Sequence, residues 1–278
     1  MSATIENVES WSGKDRGDEN FPVGAIVSSR LRAHVHAFYS FARNADDIAD
    51  SDVLEATDKI ARLDVMESVL LGHSDDGSPS ALGLRASLAE TGVTSQHACE
   101  LLVAFRQDAV KHRYASWDEL YTYCRYSAMP VGRHVLDLHG EARESWVPSD
   151  ALCTVLQVLN HVQDCKKDLL ALDRCYLPDD LMVSCGTGID DIGGTSETPG
   201  LRKVFSVLLD HCDRLNGEGA DLPRHVRDRR LRVETSIIVN LSRRLAGLLR
   251  RGDPLATRVK LRKVDAVFSV VSALRYLP

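Results

Sequence analysis

The sequence predicts an all-α protein. Apolar residues recur at three- and four-residue spacings along most of the chain, and the alternating Val, Ile and Thr runs typical of strands are almost absent. Only nine of the 278 residues are proline. With 44% apolar and 27% charged residues, the composition is that of an ordinary globular protein. The simplest organisation is one domain over residues 1–278, with 1–18 as a flexible N-terminal segment.

The first predicted helix covers residues 29–50, where apolar residues from Leu31 to Ala49 form one stripe. Another helix is predicted to begin at Ser116, because Ser116 and Glu119 have the spacing of a capping box. The remaining helices are predicted at 56–71, 80–90, 95–113, 116–138, 148–172, 200–216, 222–250 and 260–276.

Two segments rich in Gly, Ser and Asp are predicted to be loops, at 72–79 and 184–200. The second is long and is predicted to be mobile. It is interpreted as a variable surface connection, and the alternative of a lid over a site stays open.

Several classes of function lack support in the sequence. A net charge of -6 gives no basic surface for nucleic acid. No phosphate-binding loop or strand-led G-x-G-x-x-G occurs, so nucleoside triphosphates and nicotinamide cofactors are not indicated. The seven cysteines are odd in number and include no C-x-x-C pair, which argues against disulfides and zinc. They are Cys99, Cys124, Cys153, Cys165, Cys175, Cys185 and Cys212.

The sequence predicts a cytoplasmic protein. The polar, acidic N-terminal residues do not resemble a secretory signal, and no run approaches the roughly 20 apolar residues of a membrane span. Residues 243–262 mix Leu and Ala with many Arg and Lys. They are interpreted as the solvated face of a core helix, and peripheral contact with an anionic membrane at its inner face stays open.

Two acidic motifs indicate the chemistry. Asp46 and Asp50 lie four residues apart on the first helix, so they share a face with Cβ atoms about 5–6 Å apart. Asp164 and Asp168 repeat this spacing on the helix at 148–172. Both pairs lie in apolar sequence, where unpaired carboxylates are costly. A shared metal site is favoured over two independent pairs of surface aspartates.

The second motif also belongs to a longer polar stripe. Gln157, Asn160, Asp164 and Asp168 lie on one face of an otherwise apolar helix. Amides and carboxylates arranged in this way suit a polar cavity inside a helical bundle. Their oxygen atoms are the ligands of Mg²⁺, which also retains waters and takes substrate phosphates.

The chain resembles the squalene and phytoene synthases over most of its length, from about Gly13 to the last predicted helix. Four stretches are similar to the hydroxysqualene synthase branch, which serves bacterial hopanoid formation: residues 18–24 (DENFPVG), 37–50, 123–133 and 174–178 (RCYLP). The first and third discriminate best between branches, because every branch shares the aspartate motifs. The resemblance implies a helical bundle of the isoprenoid synthase type with a central active-site cavity.

The resemblance also implies residue roles. Asp46 and Asp50 would bind Mg²⁺ on one side of the pocket, and Asp164 and Asp168 on the other. Tyr123 would lie near the leaving group or the carbocation. The residues implied in substrate binding are Asn20, Arg43, Gln157, Asn160, Arg174, Tyr176 and Arg258.

The implied reaction converts presqualene diphosphate and water into hydroxysqualene and diphosphate, with the substrate handed over by other squalene-pathway enzymes. Alternatives are condensation of two farnesyl diphosphates to presqualene diphosphate, complete squalene or phytoene synthesis, and a non-catalytic scaffold. Complete squalene synthesis needs NADPH, for which no motif is found. The sequence departs from the family pattern at Lys166 and Lys167, expected to point away from the aspartates, and at His161, where an apolar or aromatic residue is expected.

Overall fold

The structure is a computed structural model that describes residues 7–9 and 28–273. Within these ranges the chain forms thirteen α-helices and no strand, which confirms the all-α class. The helices are α1 (Ser29–Ala49), α2 (Ala56–Leu70), α3 (Pro79–Thr91), α4 (Gln96–Asp108), α5 (Trp117–Ser127), α6 (Met129–Leu138), α7 (Trp146–Leu172), α8 (Asp179–Ser184), α9 (Ile189–Ile192), α10 (Pro199–Gly219), α11 (Leu222–His225), α12 (Arg229–Leu249) and α13 (Lys263–Ala273).

The helix predicted at 116–138 is two helices in the structure. The chain breaks at Ala128, whose φ of -125° and ψ of -48° are not helical. Pro130 explains the break, because proline has no N–H to donate and its ring clashes with the carbonyl group four residues earlier. The predicted start is confirmed, since Ser116 Oγ accepts a hydrogen bond from the Glu119 N–H at 3.3 Å.

Two other predicted boundaries were wrong. The helix predicted at 95–113 ends at Asp108. The helix predicted at 222–250 is interrupted before Asp228, whose carboxylate caps α12 by accepting from the N–H groups of Arg230 and Leu231, both at 2.9 Å. An aspartate in this position starts a new helix, because it satisfies N–H groups that have no partner within the helix.

The segment at 184–200 is more ordered than the predicted mobile loop. It contains the short helix α9, and Ile192 is fully buried in the core. Lys166 Nζ on α7 donates to the carbonyl oxygen of Gly194 at 2.8 Å. The segment is therefore a packed connection, and Lys166 holds it instead of reaching solvent, whereas Lys167 is exposed as expected.

Buried side chains form two main hydrophobic clusters. Residues of α1 to α4 build the first, and residues of α4 to α8, α10 and α12 supply most of the second. A cavity of about 310 Å³ lies between the two clusters, with walls from α1, α4, α5, α6 and α7. The two acidic motifs lie on α1 and α7, which places them on helices that line this cavity.

The described part of the N-terminal segment contacts α3 and the residue before it. The Glu9 carboxylate accepts hydrogen bonds from the Ser78 and Ser80 hydroxyls at 2.6 and 2.7 Å.

No helix in the described ranges has the length and apolar character needed to cross a membrane.

Candidate active site

The first acidic motif is held together by Arg43. Its Nη2 atom lies 3.0 Å from Asp46 Oδ2 and 2.9 Å from Asp47 Oδ1. Asp47 is buried, whereas the Asp46 side chain is partly exposed and lines the cavity. Asp47 therefore fixes the guanidinium from behind, and Arg43 and Asp46 both present their polar groups to the cavity.

Asp50, at the end of α1, contacts Arg174. Arg174 Nη1 lies 2.5 Å from Asp50 Oδ1, and Nη2 donates to the Ala49 carbonyl oxygen at 2.8 Å. The contact is possible because Asp173, with a φ of 50°, ends α7 and turns the chain back toward α1. Arg174 is only 5% exposed, so it is a buried cation between the two acidic helices.

The carboxylates of both acidic motifs affect the pKa of Asp168 in the second motif. Burial, the Asp164 carboxylate and the Asp50 carboxylate together raise the pKa of Asp168 to about 7, although Lys167 and Arg174 oppose the shift. A carboxylate in such a position is stabilised by any cation that enters. Asp168 on α7 and Asp50 on α1 are thus close enough to influence each other electrostatically.

The carboxylates do not form a complete metal cage by themselves. In the described part of the chain, no three His, Cys, Asp or Glu side chains lie close enough to hold a metal ion. Mg²⁺ is usually bound by one or two carboxylates, with waters and substrate phosphates as its other ligands. The raised pKa of Asp168 and the oxygen donors on both helices fit an ion of this kind.

A buried cluster around Asp108 was not predicted from the sequence. Asp108 Oδ2 accepts a hydrogen bond from Tyr123 Oη at 2.8 Å, and Oδ1 accepts one from Tyr176 Oη at 3.2 Å. Burial raises the pKa of Asp108 to about 6, against the effects of Arg174 and the two tyrosines. The available signal was its position on the apolar stripe of α4, seven residues after Leu101. Asp108 therefore orients both tyrosines that the sequence singled out.

His161 joins this cluster through its ring. It stacks on Tyr176 with the ring centroids 3.7 Å apart and an angle of 15° between the planes. Burial, and then the charge of Arg174, lower the pKa of His161 to about 3, so the imidazole is neutral. A stacked neutral ring performs the packing role of the aromatic residue expected at this position.

The cavity is polar at one end and apolar at the other. Arg43 and Asp46 line it together with Tyr123 and Gln157, and its wall along α1 continues to Val35. Val35 precedes Asp46 by eleven positions, which corresponds to about 16 Å along the helix. A cavity of this kind suits a ligand with an anionic head and a long apolar tail.

The remaining predicted residues lie in different surroundings. Asn160 is half-buried on α7. Arg258 is exposed, and its neighbour Val259 accepts a hydrogen bond from the Gln163 amide, next to Asp164. Asn20 lies outside the described residues. The structure thus places Arg43, Asp46, Tyr123 and Gln157 at the cavity. Asp50 and Arg174 form an ion pair, and both affect the pKa of Asp168. Tyr176 and Tyr123 both donate to Asp108.

Comparison with known proteins identifies the family of the chain. A family model described as squalene/phytoene synthase matches residues 14–265. The chain belongs to the squalene/phytoene synthase family. It is therefore a prenyl-diphosphate-processing enzyme, and the family resemblance inferred from its motifs is confirmed.

Individual members of the squalene/phytoene synthase family are similar along most of their length. The hydroxysqualene synthase of Rhodopseudomonas palustris is 44% identical, over 95% of this chain and 90% of the relative. The hydroxysqualene synthase of Sinorhizobium fredii is 42% identical, over 92% and 88%. The crystal structure of squalene synthase HpnC from Alicyclobacillus acidocaldarius superposes with a TM-score of 0.73 at 33% identity, over 82% of this chain and 86% of that one. The isoprenoid synthase type of helical fold is thereby confirmed.

Proposed function

We propose that this enzyme converts presqualene diphosphate and water into hydroxysqualene and diphosphate, with Mg²⁺ as cofactor. The observation that carries the proposal is the cavity, which has Arg43 and Asp46 at one end and is mostly apolar along the rest. The similarity to two hydroxysqualene synthases supports this branch of the family. A role in bacterial hopanoid synthesis follows from that product.

The two acidic motifs would hold the metal. Asp46 and Asp50 would bind Mg²⁺ from α1, and Asp164 and Asp168 from α7. When bound, Mg²⁺ neutralises charge on the diphosphate and so lowers the barrier to its departure. Asp168 is suited to this role because burial and the carboxylates of Asp164 and Asp50 outweigh the charges of Lys167 and Arg174, so that a bound cation would stabilise its ionised form.

Arginines and aromatic residues would complete the site. Arg43 and Arg174 would contact diphosphate oxygens, since a guanidinium offers several N–H donors in a fixed plane. The Tyr123 hydroxyl donates a hydrogen bond to Asp108, which fixes the ring at the cavity wall, where it would lie beside the carbocation. The apolar walls would limit the access of bulk water to that cation.

Further residues would contact the substrate. Gln157 lines the cavity, and Asn160 is one turn further along α7. Tyr176 would contribute through the Asp108 cluster. Asn20 and Arg258 are assigned to substrate binding by family resemblance alone.

In the deciding experiment, purified enzyme and Mg²⁺ are incubated without NADPH, in one reaction with presqualene diphosphate and in another with farnesyl diphosphate. We expect hydroxysqualene from the first substrate by mass spectrometry, with one ¹⁸O atom when the solvent is H₂¹⁸O, and no product in EDTA. Presqualene diphosphate made from farnesyl diphosphate would instead place the enzyme at the condensation step. Squalene formed only when NADPH is added would favour the activity named for the Alicyclobacillus structure.

We also propose that the enzyme contacts an anionic membrane through α13. This helix buries Asp265, Ser269 and Ala273 against the protein and exposes apolar residues, with Val267 61% and Phe268 70% exposed. The exposed basic residues next to this apolar face are Arg258, Lys260, Arg262 and Lys263. Apolar side chains between cations suit a surface of anionic lipids, where each Lys or Arg contributes about 1 kcal/mol. An apolar substrate could be handed over by other enzymes at such a surface.

Vesicle sedimentation tests this contact. The protein should bind vesicles containing phosphatidylglycerol, bind pure phosphatidylcholine much less, and lose binding by about tenfold or more in Phe268→Asp. The control is Val183→Asp, which replaces a residue 76% exposed on α8 and should bind like the wild type. Equal binding by all three proteins, or a dimer broken by Phe268→Asp in ultracentrifugation, would reject the membrane contact.

A further inference from the structure

A histidine lies at the apolar end of the cavity. His134 on α6 lines the cavity, is only 2% exposed, and stacks on Phe38 with ring centroids 3.8 Å apart and planes 10° from parallel. Neither of its ring nitrogens has a hydrogen-bond partner among the described residues. Burial, and then the neighbouring His97, lower the pKa of His134 to about 3. The ring is therefore neutral, with one nitrogen able to donate and the other able to accept.

A second buried histidine stands behind the first. His97 on α4 is 1% exposed, and its ring meets that of His134 edge-on, with centroids 6.3 Å apart. His97 Nε2 lies 2.9 Å from Asp137 Oδ2, and Asp137 Oδ1 accepts from Trp146 Nε1 at 3.2 Å. The Asp137 side chain is 20% exposed. Asp137, His97 and His134 thus form an array from the protein surface to the cavity.

Packing alone does not explain this array. A phenylalanine at position 134 would stack on Phe38 equally well, and each buried polar atom without a partner costs about 1–3 kcal/mol. A carboxylate accepts hydrogen bonds, so Asp137 fixes the His97 tautomer with the proton on Nε2 and leaves Nδ1 as an acceptor. The Nδ1 atom of His97 also has no partner in the parts of the chain that are described.

The cavity wall supplies polar groups for a bound water. A buried water needs two to four polar partners, and His134 shares the cavity wall with Ser127, whose buried hydroxyl has no partner within the described ranges. Phe38, under the His134 ring, is eight residues before Asp46 on α1, about 12 Å along the helix. That separation leaves room for a metal ion and a diphosphate between the aspartates and the carbon that becomes cationic.

We propose that His134 holds the water that captures the carbocation and accepts the proton which that water releases. This inference rests on the proposed formation of hydroxysqualene. The water oxygen forms the new C–O bond with its lone pair, giving a protonated alcohol. One O–H bond of that alcohol then breaks, and its proton passes to a His134 nitrogen, leaving neutral hydroxysqualene and an imidazolium. A water bridging His134 to the unpartnered Nδ1 of His97 would lead this proton to Asp137 and the surface.

The test compares two rates in each variant: diphosphate release, and hydroxysqualene formation from presqualene diphosphate. In His134→Phe the ring remains but its nitrogens are lost. We expect diphosphate release within about threefold of wild type, whereas the hydroxysqualene share of the products falls about tenfold or more. Hydrocarbons formed by loss of a proton should replace the alcohol. His134→Gln, which restores polar atoms, should recover part of the alcohol share.

The control is His139→Leu, because His139 Nδ1 bonds to the carbonyl oxygen of Val135 on its own helix and its ring does not line the cavity. It should give the wild-type product ratio. Should His134→Phe unfold, as judged by circular dichroism, His134→Leu provides the same comparison. A wild-type alcohol share in the Phe or Leu variant would overturn the role of His134 alone. Wild-type enzyme that makes no hydroxysqualene would reject the proposed function itself, and this inference with it.

Discussion

Replacing Asp168 with asparagine should abolish turnover of a prenyl diphosphate without destabilising the metal-free protein. Asp168 is crowded by Asp164 and Asp50, so its negative charge is unfavourable until a cation binds. Asparagine removes the charge and keeps the shape. Because loss of one metal ligand removes several kcal/mol of transition-state stabilisation, kcat should fall by about 1000-fold. Steady-state kinetics with saturating Mg²⁺ would measure this.

The stability effect of the same substitution depends on pH. The pKa of Asp168 in the folded protein, about 7, lies above its ordinary value of 3.8. The contribution of this group to the free energy of unfolding is therefore fully present below pH 4 and is lost as pH rises through 7. In EDTA, Asp168→Asn should therefore gain in Tm relative to wild type between pH 4 and 7, with a plateau of several degrees above that, equivalent to about 2–4 kcal/mol.

The control for Asp168→Asn is Asp64→Asn, which changes an exposed carboxylate paired with Arg106 and should leave kcat unaltered. Inorganic diphosphate with Mg²⁺ should raise the Tm of wild type and of Asp64→Asn, and leave that of Asp168→Asn unchanged. A kcat above about one tenth of wild type in Asp168→Asn would contradict a metal role for the second acidic motif.

The helices could be predicted where local pattern decides them. The first helix was predicted at 29–50 and is observed at Ser29–Ala49, because its apolar stripe is long and regular. The break at Ala128 was missed although Pro130 signals it, since the apolar pattern continues across both helices. The break before Asp228 is decided by its contacts in the fold: Arg227 and Asp228 donate their N–H groups to the distant Glu141 carboxylate.

The candidate site was predictable only in its local parts. Residues four apart on one helix must share a face, so the pairing of Asp164 with Asp168 follows from sequence spacing. Asp108, by contrast, acquires its meaning from tyrosines 15 and 68 residues away. The pairing of Arg174 with Asp50 spans 124 residues and depends on the turn at Asp173. Contacts of this range arise from the packing of helices, on which sequence spacing carries no information.

Arg174 should be the most stability-sensitive residue of the site. It is buried between Asp50, at 2.5 Å, and Asp108, whose pKa its charge lowers. Its removal leaves the buried Asp108 carboxylate and the partly exposed Asp50 carboxylate without their cation. Breaking a buried ion pair by deleting one partner costs about 3–5 kcal/mol. We therefore expect Arg174→Met to lower the free energy of unfolding by about that amount in urea titrations, and to reduce activity with it.

Arg224→Met is the control, because Arg224 pairs with Asp221 at 2.8 Å on the surface, where the two side chains are 73% and 55% exposed. An exposed pair contributes about 0–1 kcal/mol, so this variant should unfold almost like the wild type. Adding Asp50→Asn to Arg174→Met should restore about 1 kcal/mol or more, since the second substitution removes one uncompensated charge. Equal losses in the two arginine variants, or no recovery in the double variant, would show that Arg174 acts by packing and that its charge does not hold the two acidic helices together.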